Sequence, residues 1–267
     1  MLTRADNIKS CYVGPVISPE QFIPEHFFLY LLKGKISGFD GHKKYSMKEG
    51  ECCIVRKNHL ARYYKQKVDG RFEKVVVVFD NQFLKEFQTK HKISSTASKE
   101  QSAFIALEKD KLVQNFIRSL IPYYTESGKI DKTFTDVKRE ELLLILLRKN
   151  PELAAIVFDF GIPEKIDLKE FINRNYKFNV SMERFAYLTG RSISAFKRDF
   201  RKIFNDTPNH WLIQKRLDEA YFLIERKGKK SSDIYMDLGF EDLSHFSISF
   251  KKKYGINPSD LPNSKLV

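Results

Sequence analysis

Long apolar runs, cysteine and acidic residues are all scarce in this chain, and each scarcity excludes something. No apolar run exceeds six residues, as at Leu142–Leu147, far short of the roughly 18 that a membrane span requires. The first residues, Met1-Leu2-Thr3-Arg4-Ala5-Asp6, hold no apolar stretch of the kind a secretory signal carries. Cys11, Cys52 and Cys53 are too few for a disulfide framework. Adjacent thiols inside a strand read as buried rather than redox-active. A cytoplasmic chain without membrane contact is the expectation. No Gly-rich phosphate loop, nucleophile elbow or catalytic triad is present. His26, His42 and His59 stand 16 and 17 residues apart with no H-x-H pair, a poor spacing for a metal. No catalytic residue, metal site or cofactor is therefore expected. Acidic residues number 34 against 47 Lys and Arg, a formal charge of +13, which suits a polyanionic partner. The excess is spread along the chain. Residues 1–163 hold 27 basic against 20 acidic side chains, and residues 164–255 hold 19 against 13.

What is present suffices for two ordinary domains: 267 residues, 42% apolar and 13% aromatic. Residues 22–80 read as short strands. Phe27–Leu32, the stretch around Tyr45, Cys52–Val55 and Lys74–Phe79 are apolar or β-rich, and Gly34, Gly38, Gly41, Gly50 and Gly70 punctuate them. A small antiparallel barrel or sandwich is expected. Phe27, Phe28, Tyr30, Tyr63 and Tyr64 are candidates to line a pocket within it or to fill its core. Helices follow. Val113, Phe116, Ile117, Leu120 and Ile121 form one stripe, ended by Pro122, and a second helix runs from about Asp131 to Lys149. Leu142–Leu147 is apolar all round, which predicts one face on the barrel and another in a homodimer built from the helices at 109–149. The class is α+β. The expected domains are 1–150, a linker at 151–164, and a helical domain at 165–267.

The strongest signal is an internal repeat. Phe196, Phe200, Phe204 and Pro208 recur fifty residues later as Phe246, Phe250, Tyr254 and Pro258. In each copy a short helix (Met182–Leu188; Ser232–Leu238) ends at a glycine, Gly190 or Gly239. A polar cap, Ser192 or Asp242, then opens a second helix whose aromatic positions, four apart, make a narrow stripe. Such a stripe anchors the helix and leaves a polar, basic face free for a DNA major groove. Between the copies, Pro208–Ile224 reads as a linker helix of about 27 Å, close to the ~34 Å of one DNA turn.

At this point the C-terminal hundred residues resemble the AraC/XylS family of transcription regulators. Arg216-Leu217-x-x-Ala220-x-x-Leu223-Ile224 is similar to the family's linker helix. Gly239–Ser247, Phe250-Lys251 and Gly255-Ile256-Asn257-Pro258-Ser259 are similar to its second helix-turn-helix unit and tail. The resemblance implies a cupin-like sensor and dimerisation domain before an all-α domain with two helix-turn-helix units. It also implies double-stranded DNA as partner, an activator's contact with RNA polymerase, and an effector whose identity is unknown. Carried over by position, base-facing sites fall on Ser194, Lys197 and Arg198, with Arg201 and Lys202 further along. In the second unit they fall on Ser244, His245 and Ile248, with Lys251, Lys252 and Lys253 toward phosphates, and Arg216 is counted with the DNA-binding set. Asn205 replaces the usual glycine, Tyr235-Met236 replace smaller residues, and Ile248 stands where arginine is common. Two rivals are a cupin-type metalloenzyme with an appended DNA-binding domain and a low-specificity architectural DNA-binding protein.

Overall fold

In the computed structural model, residues 8–13, 21–94, 102–123, 130 and 132–261 are described. The expectations for Met1–Asp6, for the Cys11 thiol, and for a helix start at Asp131 lie outside the described residues. Two compact units divide the chain, Met1–Gly161 and Ile162–Val267.

The first unit is built on strands β1 (Ile8–Val13), β2 (Phe22–Ile23), β3 (His26–Lys33), β4 (Lys35–Phe39), β5 (Lys44–Lys48), β6 (Cys52–Val55), β7 (His59–Leu60), β8 (Arg62–Gln66), β9 (Phe72–Phe79) and β10 (Phe104–Leu107). They form a five-stranded sheet of order β1-β9-β3-β6-β10, a three-stranded sheet β5-β4-β8, and the pair β2-β7. Of the barrel or sandwich that the sequence leads one to expect, the closed barrel does not form: among the described residues no strand of the larger sheet pairs with the smaller one. The larger sheet is also mixed, because β1 runs parallel to β9.

The apolar runs explain the open form. Alternate residues of a strand face opposite sides, and here both sides are dry. Phe28, Tyr30, Cys52, Ile54, Val75 and Val77 face a helical layer. Phe27, Leu29, Leu31, Cys53, Val55, Val76 and Val78 face the smaller sheet, meeting Ile36 and Met47. A barrel strand needs only one apolar face; these strands are continuous apolar runs because they lie between two layers. Gly34 makes the sharp passage from β3 to β4 at φ +102°, where a Cβ would stand 2.7 Å from the Phe72 ring and 2.8 Å from the Gln66 carbonyl.

The helical layer comprises α1 (Asn81–His91), α2 (Lys111–Ser119), α3 (Lys132–Lys149) and α4 (Ala154–Val157). Asp80 and Asp110 cap α1 and α2 by accepting from backbone N–H groups of their first turns. The Leu142–Leu147 run lies mainly within its own unit. Leu142, Leu143 and Leu146 are buried, Ile145 and Leu147 pack at the margin, and only Leu144 is exposed. Arg139 locks α3 to the sheet, donating from Nε to the Val78 carbonyl at 2.7 Å and from Nη2 to Asp80 at 2.5 Å. Leu153, Ile156, Val157 and Phe158, within the stretch expected to be linker, are buried in this same core.

The second unit is all helical: α5 (Leu168–Asn175), α6 (Met182–Leu188), α7 (Ile193–Phe204), α8 (Pro208–Lys227), α9 (Ser231–Ile234) and α10 (Leu243–Tyr254). The helix expected over Ser232–Leu238 is a single turn, α9. Its hydrogen bonding continues as turns, from Leu238 N–H to the Ile234 carbonyl and from Gly239 N–H to that of Met236.

Candidate nucleic-acid interface

Each copy of the repeat folds by its own local chemistry. Ser192 and Asp242 cap α7 and α10, accepting from Ala195 and His245 backbone N–H groups. Asn205 and Gly255 end the same helices in the left-handed region, at φ +53° and +77°. The asparagine therefore does what the usual glycine would. Each helix then buries its stripe as a ladder of rings that ends on α8. Phe196, Phe200, Phe204 and Trp211 follow one another at centroid spacings of 5.8, 4.4 and 4.5 Å. Phe246, Phe250, Tyr254 and Tyr221 do so at 5.8, 4.8 and 4.8 Å. Four phenylalanines at no exposure anchor the pair: Phe196, Phe200, Phe246 and Phe250. Burying one such ring contributes about 1.5–3 kcal/mol, so the helices are held without help from their outer faces.

Those outer faces carry the expected residues. Ser194, Lys197, Arg198, Arg201 and Lys202 are exposed on α7; Ser244, His245, Ile248, Lys251 and Lys252 are exposed on α10. Four of the five on α7 converge. Lys197, Arg198, Arg201 and Lys202 line an open groove of about 690 Å³ with Met182, Thr207, Pro208 and Asn209. No carboxylate lines it. Asp199, the acid on this helix, is turned to Arg191 at 3.2 Å and Arg198 at 3.3 Å, and the Arg191 contact holds its carboxyl below the usual range. On α10, Ile248 is 68% exposed among polar neighbours.

Two cations expected at DNA lie elsewhere. Arg216 is buried. Its Nε donates to the Tyr176 carbonyl at 2.7 Å, Nη2 to that of Phe178 at 2.8 Å and Nη1 to that of Gly239 at 2.8 Å. It joins the loop before α6 to the turn before α10. A Cβ on Gly239, at φ +87°, would stand 2.7 Å from the Lys177 carbonyl and 2.8 Å from the Arg216 guanidinium. Lys253 ion-pairs with Asp218 at 2.5 Å and donates to the Gln214 carbonyl. Tyr254 also donates to Asp218, and burial followed by that carboxylate raises its hydroxyl pKa. Motif matching cannot separate such arginines and lysines from exposed ones, because helical position does not reveal what packs above it.

Thr207 and Asn209 at the groove were not singled out by sequence. The signal available was their place at the N-terminus of α8, beside Pro208, where backbone donors are free. In the first unit, Cys52 and Cys53 are buried, with the Cys52 thiol pushed up to about 12 by burial. His26 is buried and held neutral, its pKa lowered to about 3 by burial and the Lys57 charge. Among the described residues no cluster of three or more His, Cys, Asp or Glu is arranged to hold a metal. Among the described residues, too, no helix is long and apolar enough to cross a membrane. A cavity of about 350 Å³ lies between the two sheets, lined by Ile36, Tyr45, Met47, Cys52, Cys53 and Phe104 among others. Of the five aromatics that were candidates for a pocket or the core, Phe27, Phe28 and Tyr30 fill the core, and Tyr63 and Tyr64 are exposed.

Residues 26–156 match the ExsA N-terminal regulatory domain, and residues 185–263 match a helix-turn-helix domain. The thermoregulatory protein LcrF of Yersinia pestis is 23% identical, with 97% of each chain covered. The virulence regulon transcriptional activator VirF of Yersinia enterocolitica is 24% identical, again with 97% of each chain covered. A crystal structure of apo ToxT from Vibrio cholerae superposes with a TM-score of 0.41 at 14% identity, covering 91% of this chain and 90% of that one.

Proposed function

The chain belongs to the AraC/XylS family of transcription regulators, with an N-terminal regulatory domain and a C-terminal helix-turn-helix DNA-binding domain, and from that premise we propose how it reads DNA. α7 and α10 enter successive major grooves. Ser194, Lys197 and Arg198 face bases in the first, and Ser244, His245 and Ile248 in the second. Arg201, Lys202, Lys251 and Lys252 hold phosphates, whereas Arg216 and Lys253 hold the protein together. The single observation that supports this reading is the duplicated aromatic ladder, which anchors both helices from one side and leaves both outer faces open. α8, with 20 residues, is about 30 Å long, comparable to the ~34 Å of a DNA turn. Arg198 and Lys197 supply guanine-specific donors; Ile248 can only pack on a thymine methyl. The first helix-turn-helix therefore carries most of the direct readout, and the second adds phosphate affinity and a preference for deformable DNA.

Regulation acts through the first unit, whose domain extends to Gly161. Its inter-sheet cavity suits a small, largely apolar effector. Phe134, Val137 and Leu144, exposed along one side of α3, form the homodimer contact. The regulator works in the cytoplasm as an activator that contacts RNA polymerase. Selection of preferred sites from a random DNA pool tests the readout. The expected result is two half-sites about one turn apart, the first sharply defined. A single half-site, or none, overturns it.

A further inference from the structure

The smaller sheet of the regulatory unit carries on its outer face three lysines, Lys35, Lys44 and Lys48, that form no ion pair among the described residues. Its strands read Lys-Ile-Ser-Gly-Phe, Lys-Tyr-Ser-Met-Lys and Arg-Tyr-Tyr-Lys-Gln, without one carboxylate. The register fixes the outer face. Lys35 lies opposite Lys48, and Ser37 lies between Ser46 and Tyr64. Lys44 shares this face, four residues before Lys48 on β5. Lys35, Lys44, Lys48, Ser37 and Ser46 are all exposed, while the alternate residues Ile36 and Met47 enter the core.

The neighbouring acids are engaged elsewhere. Glu49 and Asp69 both pair with Lys33, at 3.4 Å each. Glu51 accepts from the Lys48 backbone N–H. Asp40 is buried and accepts from the backbone of His42, Lys43 and Ala103 and from the Tyr45 hydroxyl. Like charges directly across two strands destabilise a sheet, so the Lys35–Lys48 pair costs stability and returns none. Edge protection accounts for lysines on β5 and β8, where they discourage pairing with other chains. It does not account for Lys35, which stands on the central strand.

We propose that this face is a second surface for the DNA backbone, holding phosphates that flank the two half-sites. The proposal rests on the reading of the C-terminal unit as the DNA-binding domain. Lys44 and Lys48 stand about 13 Å apart along β5, and duplex DNA presents one charge per ~1.7 Å of axis, so several phosphates lie within their reach. The serine hydroxyls between the lysines donate to phosphate oxygens. The covalent link to a unit that already grips DNA makes the second contact intramolecular, so weak contacts suffice. The face contributes affinity without sequence preference.

The test uses the full chain and its Lys35→Gln/Lys44→Gln/Lys48→Gln variant, on two duplexes. One covers only the selected half-sites; the other adds about two helical turns on each side. Three released counterions steepen the salt dependence by about 2.7 units, so raising salt from 50 to 200 mM should weaken the parent about 40-fold more than the variant on the long duplex. On the short duplex the two should behave alike, and the triple Lys→Arg variant should match the parent on both. Equal salt slopes on the long duplex overturn the proposal, as does an equal loss on both lengths. A variant that keeps the parent's DNA binding but loses its binding to poly-glutamate reassigns the face to an acidic protein. Failure of the parent on both duplexes instead removes the DNA-binding reading itself, and this proposal with it.

Discussion

Arg216→Gln separates a structural arginine from a DNA-contacting one. The guanidinium is buried and donates three hydrogen bonds to carbonyls of two different segments, at 2.7–2.8 Å. Glutamine reaches one of these at best and leaves two buried carbonyls without a donor. An unsatisfied buried group costs about 1–3 kcal/mol, so a loss of about 3 kcal/mol is expected. The second unit spans residues 162–267; in a domain of that size 1 kcal/mol moves the melting temperature by about 4–8 °C, so its transition should fall by about 12–24 °C. Arg216→Lys keeps the charge and one bond, and should fall between. Well below the transition, the variant should bind DNA with the parent's salt slope, because no phosphate contact has gone. Calorimetry and a salt titration of DNA affinity measure the two quantities. An unchanged melting temperature with a slope flattened by about one unit would refute the reasoning and return Arg216 to the DNA.

Arg198→Ala should cost about 1–3 kcal/mol of discrimination at one base position, and Lys251→Ala should weaken all sequences alike; equal changes in specificity would contradict this sorting of base and phosphate contacts. Leu144, 43% exposed, should tolerate Leu144→Glu and give a folded chain that sediments as a monomer. Leu143→Glu, at a buried position, should unfold it instead; a folded Leu144→Glu chain that sediments like the parent removes the α3 dimer. Cys52 and Cys53 should resist alkylation until the chain is denatured, because burial keeps both thiols protonated; rapid native labelling, seen by mass spectrometry, would contradict that. Burial, and then the Lys65 charge, bring Lys74 from its ordinary 10.5 down to about 8. The unfolded chain therefore binds more protons between pH 8 and 10.5, so stability rises with pH across that window. Lys74→Met should flatten that rise and raise the melting temperature at pH 7; a steeper rise in the variant would reverse the sign.

The DNA-binding half was legible because its signals are local. Caps at Ser192 and Asp242, the left-handed Asn205 and Gly255, and rings spaced four apart all act within one or two helical turns. Sequence order is therefore enough to position them. By itself the sequence determined the duplicated unit, the linker helix and the exposed residues of α7 and α10. The regulatory half was less legible, because apolar runs such as Phe27–Leu32 say that a strand is buried without saying how many layers bury it. Pairings far apart in the chain supplied the rest. β1 lies parallel to β9, and Lys35 meets Lys48 across a turn. Arg216 reaches back to carbonyls 38 and 40 residues earlier and forward to one 23 residues later. Only tertiary structure decides such contacts, since a side chain's role depends on what the rest of the chain stacks over it, and helical or strand periodicity describes just one element at a time.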